Sequence, residues 1–171
     1  MQRTFASLSP CEALQVAISI EQRNAEVYHH FAEMFTEFGD EESLEIASVF
    51  WEMAVEERGH RTLLEHSYVS SFGALSNILD EQELSDLVEV PKLDIADILS
   101  STEGLSARRR ALQVALEAEV SAQRFYQELF EAAPAGPLRH MFRDLAQFED
   151  DHVTYLESKM ASDSTEKQTV Q

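Results

Sequence analysis

The chain contains little cysteine, glycine or proline, and each scarcity excludes a class of structure. One cysteine, Cys11, cannot form an intrachain disulfide or a four-thiolate metal site. Only 5 glycines and 4 prolines leave little material for the many tight turns of an all-β fold. Long stretches rich in alanine, leucine, glutamate, glutamine and arginine favour helix instead. The composition therefore predicts an all-α protein, and 171 residues fit one domain.

Basic residues are also scarce, at 13 against 32 acidic ones, which gives a formal net charge of −19. This charge argues against nucleic acids and anionic membranes as partners, because both are bound through a basic surface. No apolar run approaches the ~18 residues of a membrane span. The first ten residues also lack the apolar segment of a secretory signal. We therefore expect a cytoplasmic protein that binds neither membrane nor nucleic acid.

Four segments carry apolar residues at helical spacing, and their ends carry helix signals. Ser9-Pro10-Cys11-Glu12 is a capping box with proline in the first turn. The predicted helices span about 10–38, 41–66, 106–133 and 137–159, with a crossover over 67–105 and a flexible tail over 161–171. Two short connections around one long one are typical of a ferritin-like four-helix bundle, expected over residues 1–160 with short extra helices in the crossover.

The second half of the chain repeats the pattern of the first. A glutamate followed two turns later by a tyrosine recurs at an offset of 98 residues: Glu21 with Tyr28, and Glu119 with Tyr126. A Glu-x-x-His motif recurs at an offset of 92 residues: Glu57 with His60, and Glu149 with His152. Such a repeat indicates two equivalent helix pairs, and the difference between the offsets falls in the hairpin loops.

The four glutamates and two histidines of this repeat lie on the apolar stripes of their helices, which face the core. Four carboxylates in one dry interior repel each other and lose their hydration, so they need neutralising. Two divalent cations cancel the four charges, and two neutral imidazoles complete the ligand set. Oxygen and nitrogen ligands without thiolate suit iron or manganese. The sequence predicts a dinuclear site holding two iron ions, with a manganese–iron pair as the alternative.

The segments around these residues resemble the rubrerythrin branch of the ferritin-like superfamily. The similar stretches are AISIEQRNAEVYHHFAEMF, AVEERGHRTLLE, ALEAEVSAQRFYQELF and LAQFEDDHVTYLE, within residues 11–66 and 108–158. The resemblance implies that Glu57 and Glu149 bridge the metals and that His60 and His152 each cap one ion. It implies that Glu21 and Glu119 are terminal or switching ligands. It also implies that Tyr28 and Tyr126 hydrogen-bond ligand carboxylates of the opposite helix pair.

By this resemblance the protein is expected to reduce hydrogen peroxide or dioxygen at its metals. A rubredoxin-like protein would be the external electron donor, and the assembly would be a homodimer. Three alternatives stay open at this point. One is a ferroxidase or iron-storage protein of ferritin or bacterioferritin type, the second is a diiron substrate oxygenase, and the third is a bundle that holds metal only for stability.

The sequence departs from rubrerythrins in three respects. It lacks the cysteines of a rubredoxin-like domain, so a built-in electron donor is not expected. Ala122 stands where rubrerythrins carry an extra glutamate, and the position that corresponds to it in the repeat is Asn24. The residue that would take part in ligand switching of the rubrerythrin kind is therefore absent. The middle connection is also longer than in that family.

Some residues near the motifs are predicted to lie outside the ligand set. A third Glu-x-x-His, Glu26 with His29, falls off the buried stripe and is predicted to be exposed. Glu56 is predicted to be solvated, with a contact to Nδ1 of His152 as the weaker alternative. Its repeat mate, Phe148, is predicted to pack in the core.

Overall fold

Four long helices make up most of the structure. The computed structural model describes residues 5–75, 79–80, 82–84 and 104–165. A short 3-10 helix, Phe5–Ser7, precedes the α-helices α1 Pro10–Phe38, α2 Glu41–Phe72, α3 Gly104–Ala132 and α4 Pro137–Thr165. No strand occurs among these residues, and none of the helices carries a stretch apolar enough to cross a bilayer. The prediction of an all-α protein is confirmed.

The helices pair into two hairpins, which then pack together as a bundle. α1 packs along α2, and α3 packs along α4. Between the hairpins, α1 meets α3 and α2 meets α4 more sparsely. The long crossover joins the two hairpins, which is the connectivity predicted for a ferritin-like bundle.

The start of α1 and the turn into α2 follow the capping signals of the sequence. Ser9 Oγ accepts a hydrogen bond from the amide of Glu12, and the Glu12 carboxylate accepts one from the amide of Ser9 at 2.8 Å. Gly39 ends α1 at a φ of 70°, a left-handed conformation that favours glycine. Asp40 then caps α2 by accepting a hydrogen bond from the amide of Ser43 at 3.0 Å.

Arg108 on α3 fixes the N-terminus of α2. Its side chain is only 7% exposed and pairs with Asp40 at 3.2 Å and with Glu42. It also donates to Ser43 Oγ at 3.2 Å. The hydrogen bonds from Ser43, together with the positive charge of Arg108, hold the pKa of Asp40 below its usual value. This cluster ties the second hairpin to the beginning of α2.

Two helices are longer than predicted, so their predicted ends are wrong. α2 continues past residue 66 to Phe72, where the amide of Gly73 donates to the carbonyl of Val69 at 3.1 Å. Tyr68, in the extension, is buried in the core and thereby stabilises the additional turns. α4 continues past residue 159 to Thr165, because Met160 still packs on the core. Residues 161–165 are therefore helix rather than tail, and 166–171 lie outside the described residues.

Most of the predicted crossover also lies outside the described residues, so its short extra helices stay a prediction. Within it, residues 82–84 are helical, and the Asp80 carboxylate accepts a hydrogen bond from the amide of Glu83 at 2.9 Å. Leu84 is buried against the core. The amide of Leu79 donates to Ser19 Oγ on α1 at 2.9 Å. This part of the crossover therefore packs on the first hairpin.

The apolar core is divided into two clusters, each drawing on all four helices. The first cluster contains, among others, Leu14, Ile18, Leu64, Phe125, Tyr126 and Leu145. The second cluster contains, among others, Tyr28, Phe31, Phe50, Met53, Leu112 and Leu156. On every helix, the stretch between the two clusters carries a predicted ligand. A polar layer thus crosses the middle of the bundle.

Candidate metal centre

Six side chains meet in this polar layer. They come from all four helices: Glu21 on α1, Glu57 and His60 on α2, Glu119 on α3, and Glu149 and His152 on α4. The four carboxylates are 0% exposed. The helical period explains the convergence, since residues at i and i+3 share a face and each of these positions lies on the core-facing stripe.

The six residues form two overlapping groups, each with ligand atoms within 4.8 Å of one another. The first group, called here the His60 position, consists of Glu21, Glu57, His60 and Glu149. The second, the His152 position, consists of Glu57, Glu119, Glu149 and His152. Glu57 and Glu149 belong to both groups, so each can offer one oxygen to each of two ions. The arrangement fits a dinuclear metal site.

Both imidazoles direct Nδ1 toward the carboxylates. His60 Nδ1 lies 3.5 Å from Glu21 Oε2 and 3.7 Å from Glu57 Oε2. His152 Nδ1 lies 3.3 Å from Glu57 Oε1 and 3.3 Å from Glu119 Oε2. Each ring therefore offers the nitrogen nearer to its backbone to the interior, and Nε2 is left for contacts at the edge of the layer.

Two tyrosines hydrogen-bond two of these glutamates across the bundle. Tyr28 on α1 donates to Glu119 Oε1 on α3, and Tyr126 on α3 donates to Glu21 Oε1 on α1. Burial, followed by the negative charges of these and neighbouring glutamates, raises the pKa of both phenols well above the usual value. Both hydroxyls therefore stay protonated and act as donors, which leaves the second oxygen of Glu21 and of Glu119 for other partners.

Protons accumulate in this layer when no cation neutralises it. Burial, together with the charges of Glu21 and Glu119, raises the pKa of Glu57 well above its usual value. Burial and the charges of Glu57 and Glu119 do the same for Glu149. Burial alone would lower the pKa of His152, but its contacts with the surrounding carboxylates, first of all the hydrogen bond to Glu119, outweigh burial and raise it. A divalent cation that binds here must displace these protons.

The polar atoms without partners provide a test of whether metal ions fit. Buried side-chain oxygens and nitrogens normally have hydrogen-bond partners, and each exception needs an explanation. Six ligand atoms in this layer have none among the described residues: Glu21 Oε2, both oxygens of Glu57, His60 Nδ1 and both oxygens of Glu149. All are electron-pair donors directed at one another, and two divalent cations would satisfy them together.

The sequence model of the rubrerythrin family matches residues 12–104 and 110–170, which include all six residues of the polar layer. The chain belongs to the rubrerythrin family. The resemblance noted in its four motif segments is thereby confirmed, and it extends over most of the chain.

Solved structures share the fold of this rubrerythrin-family chain. An uncharacterized conserved protein from Magnetospirillum magnetotacticum MS-1 matches with a TM-score of 0.70 at 20% identity, covering 91% of this chain and 95% of that one. A hypothetical protein from Pyrococcus furiosus matches with a TM-score of 0.71 at 23% identity, covering 94% and 93%. At these identities the likeness is one of fold alone. No protein of curated function matches the sequence.

This member of the rubrerythrin family has no carboxylate at two further positions beside the layer. Ala122 is 2% exposed and belongs to the first apolar cluster. Asn24 is 1% exposed, and its Oδ1 has no hydrogen-bond partner among the described residues. The place of the extra rubrerythrin glutamate is thus filled by a methyl group.

The contacts at the outer edges of the two imidazoles differ from those predicted. Glu56 is exposed, but its Oε2 lies 2.7 Å from Nε2 of His152, not from Nδ1. Phe148, predicted to pack in the core, is 46% exposed and stacks on the His60 ring with centroids 5.1 Å apart. The only sequence signal for this relationship is that positions 56 and 148 correspond in the repeat.

The third Glu-x-x-His motif lies outside the polar layer. Glu26 is exposed and accepts a hydrogen bond from Gln22 at 2.7 Å. His29 lies against Trp51 and, through Nε2, within 3.4 Å of Glu33. The Glu-x-x-His spacing alone therefore does not predict a ligand pair. The spacing predicts one only where both residues also lie on the core-facing stripe.

An apolar cavity of about 320 Å³ lies at the end of the bundle, where the 3-10 helix meets the turn between α3 and α4. Phe5, Leu129 and Phe142 are among its lining residues. None of the six residues of the polar layer lines it. The substrate oxygenase alternative needs an apolar channel that reaches the metals, and this cavity does not supply one.

Proposed function

We propose that this protein is a diiron oxidoreductase that reduces hydrogen peroxide, or dioxygen, with electrons from an external donor protein. The observation that carries the proposal is the pair of overlapping ligand groups that share Glu57 and Glu149. Membership of the rubrerythrin family supports it.

Iron and manganese both match the chemistry of the ligands, and we propose iron. The groups offer carboxylate oxygen and imidazole nitrogen, a mixture that suits iron or manganese. Four carboxylates balance two divalent cations, so the loaded site carries no net charge to destabilise the interior. Glu57 and Glu149 would bridge the ions, and each remaining glutamate and histidine would bind one of them.

The residues of the chain hold the site in a form suited to redox chemistry. When bound, two iron ions supply two one-electron oxidations, from ferrous to ferric, which reduce one hydrogen peroxide with two protons to two waters. Tyr28 and Tyr126 orient the terminal carboxylates through hydrogen bonds that also withdraw some of their charge. The two apolar clusters exclude bulk water on either side.

A small oxidant would enter from the edge of the layer formed by α2 and α4. The side chains of His60 and His152 are 13% and 9% exposed, whereas the glutamates of the layer are fully buried. The imidazole side is thus the part of the site nearest to solvent.

A separate redox protein of the rubredoxin type would supply the electrons for the next turnover. The 171 residues contain one cysteine, which is half-buried on α1 beside Tyr68. A four-thiolate iron centre cannot be formed from it. Reduction of the ferric pair by a rubredoxin, followed through the rubredoxin absorption, tests this part of the proposal.

The decisive experiment compares two oxidants. Protein loaded anaerobically with two ferrous ions per chain is mixed in a stopped-flow instrument with hydrogen peroxide or with dioxygen. We expect one peroxide to oxidise one iron pair, faster than dioxygen does. Slow oxidation at equal rates by both would defeat the peroxidase assignment.

Two controls belong to the same experiment. Glu26→Gln/His29→Ala removes a Glu-x-x-His that lies outside the layer and should react like the wild type. Glu149→Ala removes an oxygen donor from both positions and should not react. Size-exclusion chromatography separates the rivals further, because a homodimer agrees with the proposal and a large cage would favour iron storage.

A further inference from the structure

The two halves of the layer differ at one repeat-related position. Glu57 and Glu149 correspond at an offset of 92 residues, and so do the residues that precede them, Glu56 and Phe148. Each of these preceding residues covers the imidazole of the opposite helix. One half of the site therefore has a carboxylate at its outer edge where the other has an aromatic ring.

Glu56 on α2 holds the His152 ring on α4. Its Oε2 lies 2.7 Å from Nε2, while Nδ1 of the same ring points at Glu57 and Glu119 at 3.3 Å each. A carboxylate at Nε2 requires the hydrogen of the ring to be on that nitrogen. In the neutral ring that binds metal, the lone pair is then on Nδ1, which faces the ligand group.

Phe148 on α4 covers His60 on α2 without such a bond. The two rings are nearly parallel, with an interplanar angle of 23° and centroids 5.1 Å apart. Within the described part of the chain, the carboxylates that pair with His60 all approach Nδ1, and none approaches Nε2. An aromatic face limits the movement of the ring but accepts no proton from its edge.

A hydrogen bond from the outer nitrogen of an imidazole to a carboxylate fixes the tautomer and raises the basicity of the nitrogen that binds metal. Glu56 supplies this to His152, and Phe148 cannot supply it to His60. We propose that Glu56 is a positioning residue that makes the two metal positions unequal, so that the His152 position binds divalent cations more tightly than the His60 position. The inference rests on the dinuclear site of the proposed function.

The inference is tested by titrating the metal-free protein with Mn²⁺ under anaerobic conditions. Binding is followed by calorimetry and by the electron paramagnetic resonance signal of free Mn²⁺. We expect two steps separated by about 10- to 100-fold in affinity, the range in which outer hydrogen-bond partners affect metal binding. Crystals soaked with less than one equivalent of Mn²⁺ should show the anomalous signal at the His152 position.

Substitutions at positions 56 and 148 should move the two steps separately. Glu56→Ala removes the acceptor and the charge and should weaken the first step by about 10- to 100-fold. Glu56→Gln keeps an acceptor and should lie between Glu56→Ala and the wild type. Phe148→Glu provides the missing carboxylate and should strengthen the second step.

Glu52→Gln is the matched control, because it removes a negative charge one turn away on the exposed side of α2. It should leave both affinities unchanged. Circular dichroism of each variant checks that the bundle still forms.

Two results would contradict the inference in different ways. If the wild type binds two Mn²⁺ with equal affinity, or if Glu56→Ala behaves like Glu52→Gln, the asymmetry is overturned and the dinuclear site stands. If the wild type binds no divalent cation, the proposed function fails and takes the inference with it.

Discussion

Tyr28 on α1 donates its hydroxyl hydrogen to Glu119 on α3, and this bond crosses from one helical hairpin to the other. Tyr126 makes the reciprocal bond to Glu21. Tyr28 belongs to the second apolar cluster and Tyr126 to the first. Each tyrosine therefore reaches the polar layer from the apolar cluster on a different side of it.

Replacing Tyr28 by phenylalanine tests the importance of this bond. Tyr28→Phe keeps the ring and leaves a buried oxygen of Glu119 without its donor. We expect a loss of about 1–3 kcal/mol in the free energy of unfolding of the metal-free protein, measured by urea titration. Tyr155→Phe on α4, outside the polar layer, should cost less than about 0.5 kcal/mol. Equal effects of the two substitutions would count against a stabilising bond at Glu119.

Metal stoichiometry should depend on which glutamate is removed. Glu57 belongs to both ligand groups, and Glu21 belongs to the His60 position only. We expect Glu57→Ala to reduce the affinity for both ions and Glu21→Ala to release one of two. Metal analysis after dialysis, together with calorimetric titration, measures the difference. If both variants keep the same number of ions, Glu57 does not bridge.

The stability of the metal-free and metal-loaded proteins should respond to pH in opposite directions. The raised pKa values of Glu57 and Glu149 mean that the folded protein binds protons more tightly than the unfolded chain. Their stabilising contribution is complete below the usual value of 4.5 and is lost as the pH rises through the raised values. The lowered pKa of Glu119 opposes this, whereas the raised pKa values of His60 and His152, caused by their neighbouring carboxylates against the effect of burial, act in the same direction.

The measurement is the midpoint of thermal unfolding between about pH 5 and about pH 8. The metal-free protein should lose stability as the pH rises in this window. The metal-loaded protein should gain it, since protons compete with the cations for the same oxygens. Glu57→Gln/Glu149→Gln should flatten the profile of the metal-free form. A double variant with the wild-type profile would show that other groups cause the dependence.

Arg108 should stabilise the bundle without affecting the metals. Arg108→Ala leaves Ser43 and Asp40 without their cationic partner at the start of α2. We expect a loss of about 1–3 kcal/mol in the free energy of unfolding, with unchanged metal stoichiometry. Arg109→Ala, next to it but exposed, should change stability by less than about 0.5 kcal/mol. A loss of metal from Arg108→Ala would mean that the Arg108 cluster also positions the metal ligands.

Helical periodicity was sufficient to predict the bundle and the convergence of the six residues. Glu57 and His60 lie on the core-facing stripe of α2, and Glu26 with His29 lies off the stripe of α1. The same motif could therefore be assigned to the interior in one case and to the surface in the other. The sequence repeat also predicted that the two halves of the chain form equivalent helix pairs, which composition alone does not predict.

Helix ends and the edges of the layer could not be predicted in the same way. The extension of α2 depends on the burial of Tyr68 by other helices, which is a tertiary effect that local propensity does not report. Whether Glu56 reaches Nδ1 or Nε2 of His152 depends on the rotamer of the ring and on the separation of α2 and α4. Phe148 lies at the margin of the apolar stripe, where a small rotation of the helix decides between core and surface.

The sparse contact between the two hairpins has a consequence for the motions of the bundle. If metal ions join the hairpins at the polar layer, their removal leaves this layer joined by the two tyrosine–glutamate hydrogen bonds and by the contacts of Glu56 and Phe148 with the imidazoles. The metal-free molecule should then open locally at the polar layer, because the two apolar clusters still join the hairpins on either side of it. Amide hydrogens on α1 beside Glu21 would exchange with solvent earlier than those beside Leu14 and Phe31, which lie in the two apolar clusters.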